Sequence, residues 1–170
     1  SNGIQKLLAE ADLIVEEGKF AYFGGEPKEI RLDPLTKGSN LHHWTEYETG
    51  EENLPEGDVK FIWEPDRFGW AFPLARAYAI TQNSVFREEF WSMLEQFNYK
   101  NPAMLGPNWT SAQEVAIRLT VLALLSPVFL RDDPKAEEHQ DILTEMIYDH
   151  GRRIPPTLIY ARSQQNNHLI

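Results

Sequence analysis

The chain has 170 residues and a formal net charge of −10, with 42% hydrophobic and 12% aromatic residues and no cysteine. This length and composition describe one globular domain with a sizeable core. The missing thiols exclude disulfides, a cysteine nucleophile and any Cys-ligated zinc or iron–sulfur site, while the acid excess argues against nucleic-acid or membrane-surface binding, both of which draw on Lys and Arg. The start, Ser1-Asn2-Gly3, has no initiator Met and no signal-peptide pattern, so it reads as a mature or added terminus. Leu119 to Leu125 is the longest apolar stretch, far too short to span a bilayer.

The first helix is predicted over Ile4 to Glu17, where Ile4, Leu7, Leu8, Ala11, Ile14 and Val15 share one face and Gly18 supplies the stop. Two short runs, Phe20 to Phe23 and Glu29 to Leu32, flank Gly24-Gly25-Glu26-Pro27 and suggest a small β-hairpin. Residues 33–58 read as loop. A helix is expected from Pro65-Asp66 to Ile80, with Pro73 in its path and a regular start there as the alternative. Asn83-Ser84 caps the next, Val85 to Phe97. Ser111-Ala-Gln-Glu114 fits a capping box for a helix running to Ser126-Pro127, apolar nearly all round and therefore expected to be an inner helix. Two more helices follow, Pro134 to His150 with a stop at Gly151, and one starting near Ile154-Pro155-Pro156. Helix follows helix through short connections, so the fold class is mainly all-α, built of antiparallel helix hairpins without a fixed sequence repeat. The organisation divides into 1–57 (helix, hairpin and loop) and 58–170 (helical domain).

Acidic residues gather in Glu46 to Asp58 and Asp132 to Glu138, as solvated loops and helix starts do. Arginines are bunched instead near aromatic and amide residues: Arg67, Arg76, Arg118, Arg152, Arg153 and Arg162. The segment Arg162-Ser163-Gln164-Gln165-Asn166-Asn167-His168 reads either as a polar helix end or as a set of neutral donors. Neutral donors suit uronate β-elimination. A base must remove a proton beside a carboxylate, and amides at the carboxylate oxygens stabilise the enolate-like charge that develops. Trp63 and Trp109 would stack on sugar rings or fill core, and Arg67 would bind an anionic sugar or pair with Asp66 or Glu64. Glu114 and Arg118, one turn apart, are expected to form an intrahelical ion pair. His42 and His43 are adjacent, which points their rings apart, and no HExxH spacing occurs, so no metal and no cofactor is expected.

The order of short motifs in the second part of the chain carries a resemblance. Trp63-Glu64-x-x-Arg67-Phe68 is followed by Leu74-Ala75-x-Ala77-Tyr78, Asn101-Pro102, and Gly106-x-Asn108-Trp109-x-Ser111-x-x-Glu114-x-Ala116-x-Arg118. Asn166-Asn167-His168-Leu169-Ile170 comes last. In this order they resemble the heparinase II/III-type polysaccharide lyases. The resemblance implies an incomplete α/α toroid and an acidic, uronate-containing polysaccharide as partner. Asn166 or Asn167 would neutralise the uronate carboxylate, with His168 in the same wall. Trp63, Arg67, Asn108, Trp109 and Arg162 would line the cleft or support it. The family's catalytic Tyr and its further His are not among these residues, so the chain alone is expected to be an inactive fragment. Its open apolar face would invite self-association. Family habit places the protein in the periplasm or outside the cell. Two rivals remain: an α/α-toroid glycoside hydrolase using Asp66 and Glu114, and a non-catalytic helical module that binds glycans or proteins.

Overall fold

The computed structural model describes residues 2–34, 40–48 and 60–164 and is mainly helical, with one two-stranded sheet. Helix α1 (Asn2–Glu17) forms where the apolar spacing predicts it and buries Ala11 and Ile14. Gly18 ends it at φ 62°, a left-handed conformation that glycine adopts without strain, and returns its N–H to the Ile14 carbonyl. The hairpin is shorter than predicted. Strand β1 (Lys19–Phe20) pairs antiparallel with β2 (Lys28–Glu29), placing Lys19 opposite Glu29 and Phe20 opposite Lys28. Tyr22–Gly24 leave the ladder for a 3-10 turn in which Phe23 takes φ 56°. Within the predicted loop, α2 (Thr45–Glu48) makes a single turn that buries Tyr47.

The helix expected from Pro65 to Ile80 is two helices. α3 (Lys60–Asp66) stops just after Pro65, and α4 (Ala71–Thr81) starts beyond a turn in which Phe68 has φ 61°. A non-glycine residue there costs roughly 1–2 kcal/mol. Phe68 is fully buried, edge-on to Phe97 (4.9 Å) and Trp70 (5.7 Å). That burial contributes about 2–3 kcal/mol, enough to hold the turn. Pro73 falls in the first turn of α4, where an N–H has no intrahelical partner to lose.

Asn83 caps α5 (Ser84–Lys100) through Oδ1 to the Val85 N–H, and Ser111 caps α6 (Ala112–Leu130) through Oγ to the Glu114 N–H. α6 does not end at Ser126-Pro127 as predicted. Pro127 breaks the bond to the carbonyl of Ala123, but both residues are exposed, so water can serve that carbonyl. α7 (Ala136–Arg153) likewise continues through Gly151, and α8 (Pro155–Gln164) opens with proline at its first position.

α4 packs against α1, α5 and α6, and α6 against α7. One hydrophobic core joins them, and Ala11, Ile14 and Leu32 from the first segment belong to it. Its centre is aromatic, with Phe90 and Phe129 stacked at 3.9 Å and 7°. By length and composition α6 would suffice to cross a membrane; in this fold it is a core helix with Glu114 and Arg118 buried along it. It is not inner on all sides, as the sequence suggested. Leu124 is 61% exposed, and Tyr148 on α7 and Ile159 on α8 are exposed too.

Candidate functional site

Four of the predicted site residues meet where α3, the 3-10 turn Pro107–Trp109 and the start of α6 come together. Trp63 donates its indole N–H to the Pro107 carbonyl at 3.2 Å. Arg67 is gripped by two acids: Nε and Nη2 donate to the two oxygens of Glu114 at 2.6 and 2.7 Å, and Nη1 to Glu64 at 2.5 Å. The expected Glu114–Arg118 pair is therefore replaced. A bidentate fork between elements is stronger than an i,i+4 contact on one helix. It also turns the Glu114 carboxylate onto Arg67, so only the Ser111 half of the capping box is made. These hydrogen bonds to Glu114 hold the Arg67 guanidinium still more firmly charged than usual. Arg67→Lys is expected to cost about 1–2 kcal/mol in urea unfolding, because an ammonium cannot span both oxygens of Glu114; an unchanged midpoint and slope would show that the fork is not needed.

Behind this wall lies a buried polar network. Asn108 is 0% and Trp109 2% exposed, so neither reaches a ligand. Both were expected to line the cleft or support it; their side-chain N–H groups are spent on the interior. Asn108 Nδ2 donates to Asn101 Oδ1, and the Trp109 indole to the Asn101 carbonyl. Two buried arginines then hold three successive carbonyls. Arg118 Nη2 donates to Asn108 (2.6 Å), Arg153 Nε to Trp109 (2.6 Å) and Arg153 Nη2 to Thr110 (2.5 Å). Arg118 Nε also donates to His150 Nε2 at 3.1 Å, which requires a neutral imidazole protonated on Nδ1, and Nδ1 faces the Met146 carbonyl at 2.7 Å. Burial, reinforced by the Arg118 charge, pushes the His150 pKa down to about 3 and secures that form.

Asp66, at the end of α3, is fully buried and neither oxygen has a hydrogen-bond partner. Burial outweighs the attraction of Arg118 and the nearby Asn108 amide, raising its pKa to about 8. Burial thus favours the neutral acid at Asp66. With Glu114 also buried and locked on Arg67, the two carboxylates on which the hydrolase reading rests have no access to a substrate.

Trp63 and Arg67 are the half-exposed members of the cluster, and Arg162 is exposed in the last turn of α8. Asn166, Asn167 and His168 lie outside the described residues. A cleft of about 480 Å³ opens beside the cluster, between the hairpin and α3, with Tyr22, Arg31, Glu64 and Pro65 among its walls. The Tyr22 hydroxyl is buried without a partner; burial, then the nearby Asp66 and Glu64, raise its pKa. Sequence reasoning missed Tyr22 because it read as a strand residue. It also missed a second cleft of about 390 Å³ between α5 and the start of α7, which holds His139 and Asp133. Asp133 sits in an acidic run read as solvated, and nothing in that spacing announces a buried imidazole. Among the described residues no group of three or more His, Cys, Asp or Glu side chains could hold a metal ion. Comparison of the chain with family models, with curated proteins and with solved structures gives no match.

Proposed function

We propose that the chain is the front part of a heparinase II/III-type polysaccharide lyase domain, an incomplete α/α toroid that supplies one wall of a uronate-binding cleft. The observation that carries this reading is convergence. Two motifs about 40 residues apart in sequence are brought side by side: Trp63 bonds the Pro107 carbonyl, Arg67 forks onto Glu114, and Asn108, Trp109 and Arg118 share a buried network behind them. In this reading the buried members support the cleft, Trp63 meets the sugar from its edge, and Asn166 or Asn167 neutralises the carboxylate beside His168. Arg76, Arg152 and Arg162 are the arginines of the sequence clusters that stand exposed, so they would meet the acidic chain. The exposed apolar residues of α6, α7 and α8 would be covered by later helices or by a second copy.

The base and acid of the reaction would come from outside this segment, so binding without turnover is expected. Native gels containing alginate or heparin should retard the chain, whereas neutral dextran should not. Near-ultraviolet absorbance should stay flat, because no unsaturated uronate forms. Equal mobility in all gels would sink the uronate reading, and rising absorbance would overturn the claim that the segment is inactive. Asn166→Ala with Asn167→Ala should reduce the retardation; undiminished binding would favour the non-catalytic module.

A further inference from the structure

We propose that His139 and Glu95, backed by Asp133, form a binding site for a borderline divalent transition-metal ion such as Zn²⁺, with water completing its coordination. The site lies in the second cleft and is independent of the uronate reading. One wall is α5, which presents Arg87, Trp91 and Glu95 at helical spacing; the other is Asp133, Lys135 and His139.

Three distances carry the assignment. His139 Nδ1 is 2.6 Å from Asp133 Oδ2, a short contact to a carboxylate whose side chain is 2% exposed. Asp133 is itself fixed, since its Oδ1 accepts the Lys135 N–H at 3.1 Å and lies 3.8 Å from Arg87 Nε. An ionised carboxylate only accepts hydrogen bonds, so Nδ1 carries a proton, and Nε2 is the nitrogen that a metal ion would take in place of its proton. A carboxylate–imidazole pair of this kind is what orients most metal-binding histidines. Nε2 in turn is 3.7 Å from Glu95 Oε1, too long for a hydrogen bond. It is close to the span of two donors that each sit about 2.0–2.2 Å from one metal at a wide tetrahedral angle.

The surroundings favour a cation. The imidazole lies flat on Trp91, with ring centroids 4.1 Å apart and planes at 12°, so the direction of the Nε2 lone pair is set. Arg87 is committed to Asp133, the Tyr78 hydroxyl and the Asp132 carbonyl. Glu95 is 47% exposed in its side chain and can shift by tenths of an ångström; Glu88 lines the same cleft, as does Lys135, whose ammonium lies 3.9 Å from Glu138. One imidazole with carboxylate selects Zn²⁺, Ni²⁺ or Cu²⁺ over Mg²⁺ and Ca²⁺, which prefer all-oxygen sites. Two firm protein ligands make the site weaker than a closed structural one.

Trp91 reports on this site, because a paramagnetic ion on the stacked imidazole quenches indole emission. The chain, stripped with chelator, is titrated with Ni²⁺ and its tryptophan fluorescence followed. The expected result is a saturable partial quench complete below about 1 mM, reversed by chelator and competed by Zn²⁺ but not by Mg²⁺. His139→Gln should abolish it, and Glu95→Gln, at a half-exposed position that leaves the fold intact, should weaken it at least about tenfold. His42→Gln with His43→Gln is the control, since His42 lies 3.4 Å from Glu46 and His43 packs near Trp44; this variant should quench like the parent. No saturable quench overturns the proposal, as does a quench unchanged in Glu95→Gln or lost in the His42/His43 variant. If His139→Gln fails to fold, the Glu95→Gln titration decides.

Discussion

Arg118→Ala is expected to cost about 3–5 kcal/mol in urea unfolding at pH 7, a large part of the roughly 5–15 kcal/mol that holds a domain of this size together. The guanidinium is fully buried and anchors two elements at once, the Asn108 carbonyl in the turn before α6 and His150 near the end of α7. It also lies 5.4 Å from the ring centre of Phe97 and 5.7 Å from that of Trp109. Alanine would leave a cavity between those rings and strip a buried carbonyl of its donor. Burial has already lowered the Arg118 pKa to about 10, so the site holds the charge at neutral pH but under strain.

Arg118→Met separates the two contributions. Methionine refills much of the volume without restoring either hydrogen bond, and replacing a buried charge by an apolar group of similar size is often tolerated. The expected order is parent, then Met, then Ala. A loss under about 1 kcal/mol for Ala would mean that the turn carbonyls find other donors, and that the network is not what joins α6 to α7.

The order of helices was legible because apolar spacing, Gly18, Asn83, Ser111 and Pro155 are local signals. What escaped depended on partners brought together by the fold. The split between α3 and α4 needs Phe68 in a left-handed turn, a strained conformation that only its burial against Phe97 and Trp70 makes tenable. The helix ends at Pro127 and Gly151 were misjudged because both residues sit where neither a missing N–H nor a missing side chain is costly. For the site, the resemblance carried by the order of motifs singled out Trp63, Arg67, Asn108 and Trp109 as a set. It could not say which were spent internally, since Glu114 chose Arg67 across a gap of 47 residues over Arg118 one turn away. His139 with Asp133 left no trace, because burial of a charged loop is decided by the helix that packs over it.

Asp66→Asn is expected to stabilise the chain, increasingly so as pH rises. In the unfolded chain this carboxyl ionises near its ordinary 3.8, whereas in the fold burial raises its pKa to about 8. Below 3.8 both states carry the proton and Asp66 contributes no pH dependence. Between 3.8 and 8 only the unfolded state can release it, so stability falls with rising pH by about 1.4 kcal/mol per unit. Above 8 both states ionise and the loss levels off, at about 6 kcal/mol as an upper bound, because Arg118 is near enough to take up part of the charge. Asparagine stays neutral throughout and nearly keeps the shape. Urea unfolding of the two proteins should therefore agree near pH 4 and separate by several kcal/mol by pH 8, with the variant the more stable. His150, neutral in the fold and protonated in the unfolded chain at acid pH, weakens both proteins alike and drops out of the difference. A constant gap across the range would mean that Asp66 is ionised beside Arg118, and that the centre of this network is an ion pair rather than a neutral acid.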